Sequence, residues 1–318
     1  MKKIFINLFF LICLFSALLF ISFHYSEKDS GIGTFYLNAY DTVSYAKLKK
    51  LAQSIEKEGF RVKLSAKDHF QSGLINIYAS EDFANLPPVL DEKTINFLWL
   101  PFVSQNETEK LRPFDVIVVK SMPSFLHLKA INVRTAYIPD AIDISAEKKE
   151  PINKDYPMYY GDNDLGFSLA LFLAGPTNLK IDVYGEGFSG VWPENSISQN
   201  SAQPTDFQQY PLVLADQSDE DIYNEIVNQR IITIIENGGL PYVRYNSGIE
   251  KMFGDVIPMY HNKDNFLPGI TALLRNPQEI LNRRTSLLQL AKQWSSENQA
   301  KKFIELADIM KRKLISQK

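Results

Sequence analysis

A chain of 318 residues is long enough to bury two sizeable cores. Its formal net charge of -3 gives no general support for nucleic-acid binding, and its one cysteine, Cys13, excludes an intramolecular disulfide and a cysteine metal site. His24, His69, His127 and His261 are scattered without HxxxH or HExxH spacing, which argues against a zinc enzyme; no metal and no cofactor is expected.

Met1-Lys2-Lys3 precedes IFINLFFLICLFSALLFISF at 4–23, a run of 20 residues without a charge. That length spans a bilayer as a helix, so a signal anchor is expected over 1–24, with a cleaved signal peptide as the alternative. Lys2 and Lys3 outnumber Lys28 across the run, which places the body outside the cytosol. The side of the membrane on which the body lies is left open. A polar linker with Gly31 and Gly33 follows, then the strand GTFYLNAY at 33–40. Asp41-Thr42 caps a helix whose Val43, Tyr45, Leu48, Leu51 and Ile55 recur at helical spacing until Gly59. RVKLS, LINIYAS, TINFLWLP and DVIVVKS read as short strands, PSFLHLKAIN as a helix and RTAYIP as a strand. Alternating strands and helices predict a parallel α/β domain over 33–145. The charged, proline-containing stretch 146–157 suits a linker.

The second half opens on PMYYGDN (157–163), a helix across LGFSLALFLAG and the strand KIDVYGEG (180–187). Residues 189–209 are rich in Ser, Gln, Asn and Pro and read as a loop. PLVLAD (211–216) is a strand, Asn228-Gln229-Arg230 leads a helix, and Gly238-Gly239 stops it. Leu240-Pro241-Tyr242-Val243 is a buried strand, followed by the helix IEKMFG, the strand VIPMY and a helix from Asp264. Residues 283–318 carry nine Lys or Arg against three acids. Leu287, Leu290, Trp294, Phe303, Leu306, Met310 and Leu314 form a helical stripe there. This predicts a basic closing helix packed on the core, with anionic lipid contact as the sharper alternative.

PLVLAD, NQR, GG, SGIEKMFGD (247–255) and LLRNPQE (273–279), taken in that order, resemble the C-terminal half of GT-B glycosyltransferases of the spore-maturation type. These are related to the glycosyl transferases group 1 families. IDVYGEGF (181–188) resembles the strand and glycine turn earlier in that domain, and YIPDAIDI (137–144) the end of the GT-B N-terminal domain. The match covers roughly residues 155–282, and the N-terminal half only by general pattern. It implies an α/β protein of two Rossmann-like domains, GT-B-like, behind the N-terminal transmembrane helix. An acceptor domain would occupy 33–145, a donor domain 155–282 and the basic helix 283–318.

The resemblance further implies a membrane-anchored enzyme that moves a sugar from a nucleotide sugar to a glycan or lipid-linked acceptor. The donor would sit by Tyr184, Gly185, Gly187, Asn228, Arg230, Glu236, Gly238 and Gly239, with no metal. Arg230 and helix N-terminal amides suit a leaving diphosphate, whose negative charge grows in the transition state. A surface salt bridge is the plain alternative. The family has an acid three positions after the arginine, where this chain has Thr233; Glu236 stands three further on. A carboxylate there would accept from two ribose hydroxyls. Asp140 and Asp143 are candidates for the base that deprotonates an acceptor hydroxyl, against a role in capping turns. His127 reads as a packed helix histidine. Two other classes remain: a catalytically degenerate relative that binds a glycan or partner, and an exported two-lobe solute-binding protein. The latter would have a mature N-terminus near residue 24.

Overall fold

The computed structural model describes residues 33–66, 69, 71–81, 90–91, 93–145, 151–161, 179–185, 197–200 and 207–316. The anchor expected over 1–24, the helix expected over 165–175 and Gly187 lie outside them. Among the described residues no helix is long and apolar enough to cross a membrane.

The described chain forms two compact units. One takes the residues up to Leu98, Pro113–Asp115 and the chain from Ala300; the other takes Trp99–Arg112 and Val116–Gln299. The first half of the chain runs β1 (Thr34–Ala39), α1 (Thr42–Lys57), β2 (Arg61–Ala66), β3 (Ile75–Ala79), β4 (Ile95–Leu100), β5 (Val116–Val119), α2 (Met122–Ala130) and β6 (Thr135–Tyr137). Its strands are ordered β2-β1-β3-β4-β5-β6. The pairs β1–β2, β1–β3 and β5–β6 are parallel. Parallel pairing needs both sheet faces covered, which is why β3, β4 and β5 are buried at every position. In α1 the Asp41 carboxylate caps Ser44 N at 2.7 Å. The buried face is Ser44, Leu48, Leu51, Ala52, Ser54 and Ile55. Val43 and Tyr45, expected in the apolar stripe, are instead exposed at 51% and 39%.

The second half runs β7 (Met158–Tyr160), β8 (Asp182–Tyr184), β9 (Ile197–Asn200), β10 (Val213–Ala215), α3 (Asp219–Tyr223), α4 (Gln229–Glu236), β11 (Pro241–Arg244), α5 (Ser247–Phe253), β12 (Met259–Tyr260), α6 (Lys263–Leu274), α7 (Pro277–Ala291) and α8 (Ser296–Ser316). Strand order is β12-β11-β10-β7-β8-β9. The chain therefore winds outward one way from β7 and the other way from β10. This is the doubly wound order whose reversal leaves a crevice outside the carboxyl ends of the two central strands. β9 lies inside the stretch expected to be a loop. An edge strand needs pairing on one side only, and its polar residues carry no apolar signal; it runs parallel to β8, with Asp182 opposite Ile197. The expected strand VIPMY shortens to Met259–Tyr260, behind Pro258, which has no N–H to offer.

Burial decides α4 against propensity. Four β-branched isoleucines cost about 0.4 kcal/mol each relative to alanine in a helix. Ile231, Ile232, Ile234 and Ile235 are at most 1% exposed, and burying each contributes about 2 kcal/mol. The helix stops in a Schellman arrangement: Gly238 N donates to Ile235 O and Gly239 N to Ile234 O, both at 2.9 Å, with Gly238 at φ 75.

The basic C-terminal stretch, expected as one closing helix over 283–318, forms parts of two helices. It divides at residues 292–294 between α7 and α8. Leu287, Phe303 and Met310 are buried, and Phe303 meets Phe97 edge-on at 6.2 Å. Arg284 lies within the fold, where its guanidinium donates to Gln208 O at 2.6 Å and to Tyr210 O. Burial pushes its pKa down to about 10, which still leaves it charged at neutral pH.

Burial, with the Glu225 charge second, raises Tyr137 to about 12, and burial raises Tyr242 to about 12. The unfolded phenol titrates near ~10. The folded state thus holds protons that the unfolded state has lost, so this stabilisation is complete below pH ~10 and disappears as pH rises through 12. The melting temperature is expected to fall across that window. Tyr242→Phe, which removes the bond to Phe266 O, should lower stability at neutral pH and make the alkaline fall shallower.

Candidate functional site

The crevice at the order reversal lies where β7 and β10 end, at Gly161 and Asp216. Tyr159, in β7, donates its hydroxyl to Asp216 Oδ2 at 3.3 Å. The α4 cap lies beside it: Asn228 Oδ1 accepts from Ile231 N at 3.1 Å, while its Nδ2 donates to Asp216 O at 3.1 Å. One asparagine therefore caps the helix and pins its start to the end of β10. Arg230, two residues on, lays its guanidinium against Gly161. A Cβ at that glycine would meet Arg230 Nη1 at 3.0 Å and the Tyr159 hydroxyl at 2.9 Å. A side chain at this position would crowd the guanidinium and the phenol at the strand end. Gly161 N donates to Tyr184 O at 3.0 Å, joining the ends of β7 and β8, and Gly185 follows with φ 148. Asn228, Arg230, Tyr184 and Gly185 thus fall along the carboxyl edge, although the Tyr184 hydroxyl is directed to a different cluster. It hydrogen-bonds Tyr210, whose own hydroxyl donates to Asp182 Oδ2 at 2.6 Å.

The loop that delivers α4 is braced by a buried polar network. Asn246 donates to Gln217 Oε1 at 2.8 Å and Ile226 O at 2.9 Å, and accepts from Gly248 N at 2.8 Å. Gln217 donates onward to Arg244 O at 2.9 Å. Gly248 packs so closely on the Glu225 carbonyl that a Cβ would overlap it. Glu225 itself sits at φ 55, a left-handed conformation strained for a residue with a side chain.

Glu236, Gly238 and Gly239 are not brought to Arg230. Six residues of helix separate Arg230 from Glu236, about 9 Å along the axis. Glu236 Oε1 accepts from Asp143 N at 3.1 Å, and its carbonyl accepts from Ser145 N and Oγ at 2.9 Å. These residues tie the far end of α4 to the segment 143–145. Gly238→Ala is accordingly expected to cost about 1 kcal/mol through its left-handed backbone. Together with Glu236→Gln it should leave ligand affinity at the Arg230 end unchanged, which chemical denaturation and calorimetry would separate. Thr233 Oγ1 turns back to Gln229 O at 2.8 Å.

Asp140 follows β6, and its Oδ2 accepts from Lys120 Nζ at 3.1 Å in a nearly buried pair. Asp143 accepts from Ser296 N at 2.9 Å and from Ser296 Oγ, which caps α8. Sequence reasoning missed Gly161, Tyr159 and Asp216. For Asp216 the signal was its place directly after a parallel strand. It also missed α3, announced by the capping box Ser218-x-x-Asp221, in which Asp221 N donates to Ser218 Oγ at 3.0 Å. Among the described residues no group of three or more His, Cys, Asp or Glu is arranged to hold a metal.

Two parallel-sheet α/β units with this crevice are consistent with the GT-B fold, and the solved structures similar to the chain are GT-B glycosyltransferases. A glycosyltransferase from Rickettsia africae aligns at TM-score 0.55 and 9% identity, over 90% of this chain and 99% of that one. TarM of S. aureus, solved with fondaparinux, alpha-GlcNAc-glycerol and UDP, aligns at TM-score 0.53 and 12% identity over 73% of this chain. The chain spans 55% of the TarM chain. At these identities the likeness is one of fold. No family model matches, and no curated protein matches by sequence.

Proposed function

We propose that this chain is a membrane-anchored glycosyltransferase that moves a sugar from a nucleotide donor to a hydroxyl of a glycan or lipid-linked acceptor. The observation that carries this is Arg230 set against Gly161 at the reversal of strand order, beside the amino end of α4. A diphosphate in that crevice would meet a guanidinium and the amino end of α4, and both interactions strengthen as the leaving group gains charge. Gly161 and Gly185 let the ligand approach the backbone of the two strand ends. Asp140 is the carboxylate assigned to the acceptor proton, and Lys120 fixes its position. The anchor is supported by the uncharged run 4–23, and the nucleotide-sugar chemistry by the likeness of fold to TarM, which was solved with UDP.

The reading is tested by incubating the full-length protein in detergent with UDP-, GDP-, CMP- and TDP-sugars and measuring nucleotide release. Release from one donor, slowed by Asp140→Asn, supports the enzyme. A folded protein that binds a nucleotide yet releases none from any donor favours the degenerate relative, the reading to which Thr233 in place of the family's acid belongs.

A further inference from the structure

The inward side of α8 is complete by Met310. Ala300, Phe303, Ala307 and Met310 recur at helical spacing, and all four are buried. Ile309 and Ile315 lie outside that stripe and stay 47% and 63% exposed. Ile309, Arg312, Lys313 and Ser316 stand at i, i+3, i+4 and i+7, on one outward face. We infer that the last two turns of α8, residues 309–316, dock on an anionic lipid surface. Ile309 and Ile315 enter the headgroup layer, and Lys311 and Lys313 face its negative charge. The supply of a bilayer rests on the anchor reading above.

Three observations carry the inference. The first is charge. Residues 309–318 contain Lys311, Arg312, Lys313 and Lys318 and no acid, whereas Glu297, Glu305 and Asp308 all precede them. Arg312 pairs with Asp308. Lys311 and Lys313 enter no ion pair among the described residues. Anionic headgroups attract such a basic end. The second is the company the cations keep. A helix dipole favours cations in the last turn, but it gives no reason for two isoleucines to face water there. An interfacial helix does: its apolar side chains sink to the acyl boundary while lysine stems snorkel back to the headgroups. The third is placement. The unit that holds β1 also holds the chain from Ala300 on. Ten residues, 24–33, separate the uncharged run 4–23 from Thr34. Even fully extended they reach at most ~35 Å. Anchoring therefore keeps the unit that carries the end of α8 close to lipid.

The test places a fluorophore at position 315. Cys13 is the only cysteine, so Ile315→Cys with Cys13→Ser gives one labelling site in the full-length chain. The protein is reconstituted in vesicles of phosphatidylcholine alone or mixed with phosphatidylglycerol, each carrying spin-labelled acyl chains that quench a probe at the acyl boundary. Carbonate extraction of the same vesicles reads the anchor separately. Quenching is expected in the mixed vesicles, weak in the neutral ones and reduced by salt. Lys311→Gln with Lys313→Gln should lower the docked-to-free ratio at least ~10-fold, with the melting temperature unchanged. Equal quenching in both vesicles, or quenching indifferent to the two lysine changes, overturns the inference. Protein that resists extraction while its probe stays in water overturns the docking and leaves the anchor intact. Probe quenched in mixed vesicles on a protein that carbonate extracts retains the docking and sinks the anchor. A probe shielded in detergent by formation of a dimer shows that a second copy covers this face, and it overturns the lipid assignment.

Discussion

Arg230→Ala is expected to weaken nucleotide-diphosphate binding by about 100-fold or more while leaving the melting temperature within a degree or two. Two charge-assisted hydrogen bonds from a planar guanidinium to phosphate contribute about 3–4 kcal/mol together, which converts to that factor. Arg230→Lys keeps the charge and loses the fork, so it should recover only part of the affinity. Gly161→Ala reaches the same site from the other side. Its Cβ would press on Arg230 Nη1 at 3.0 Å, so it should displace the guanidinium and reduce affinity without removing any charge. Calorimetric titration of the three variants separates charge from placement. An Arg230→Ala protein with unchanged affinity would show that the crevice does not hold the phosphates.

Gly248→Ala is expected to produce the largest loss of stability from a single methyl group, about 3 kcal/mol or more, because the new Cβ overlaps a backbone carbonyl. Neither neighbour can yield cheaply. Gly248 N is bonded to the fully buried Asn246. Glu225 is already at φ 55, and Lys251 pairs with its carboxylate. Relief requires residues 224–227 to move, and they deliver Asn228 and Arg230 to the strand end. The variant should therefore show a lower denaturation midpoint and weaker nucleotide binding together. Gly254→Ala, at φ 63 but with nothing within 4 Å of its Cβ, is the control for backbone strain alone. With ψ at -139 it should cost about 1–3 kcal/mol and leave binding untouched. A Gly248→Ala protein as stable as Gly254→Ala would mean that the contact with Glu225 relaxes freely.

What the sequence made legible was local. Asn228-Gln229-Arg230 reads as a helix start and Gly238-Gly239 as its stop because helix ends need specific partners for their orphan amides and carbonyls. Both perform those roles. The alternation of strands and helices announced parallel sheets because β3, β4 and β5 must be apolar on both faces. The order of the strands was not legible. In the second sheet the neighbours β7 and β10 are more than fifty residues apart, and no local pattern records which crossover goes which way. Gly161 and Tyr159 were invisible as site residues for that reason, since their role exists only once β10 lies beside β7. Grouping Glu236 and Gly238 with Arg230 treated closeness in sequence as closeness in space. The 1.5 Å rise of a helix already sets the two ends of α4 apart. β9 escaped because edge pairing needs backbone and no apolar pattern. Asp140 was found as a carboxylate near the end of the first half, but its ion pair with Lys120 required the fold.

The central claim is that a nucleotide occupies the crevice between Gly161 and Asp216. The most direct test is a calorimetric titration of the full-length protein in detergent with UDP-, GDP-, CMP- and TDP-sugars, repeated on Arg230→Ala and Gly238→Ala. The predicted result is one-to-one binding of one nucleotide class, lost in Arg230→Ala and unchanged in Gly238→Ala. A folded protein that binds none of them, or one whose binding follows Gly238 rather than Arg230, would contradict it.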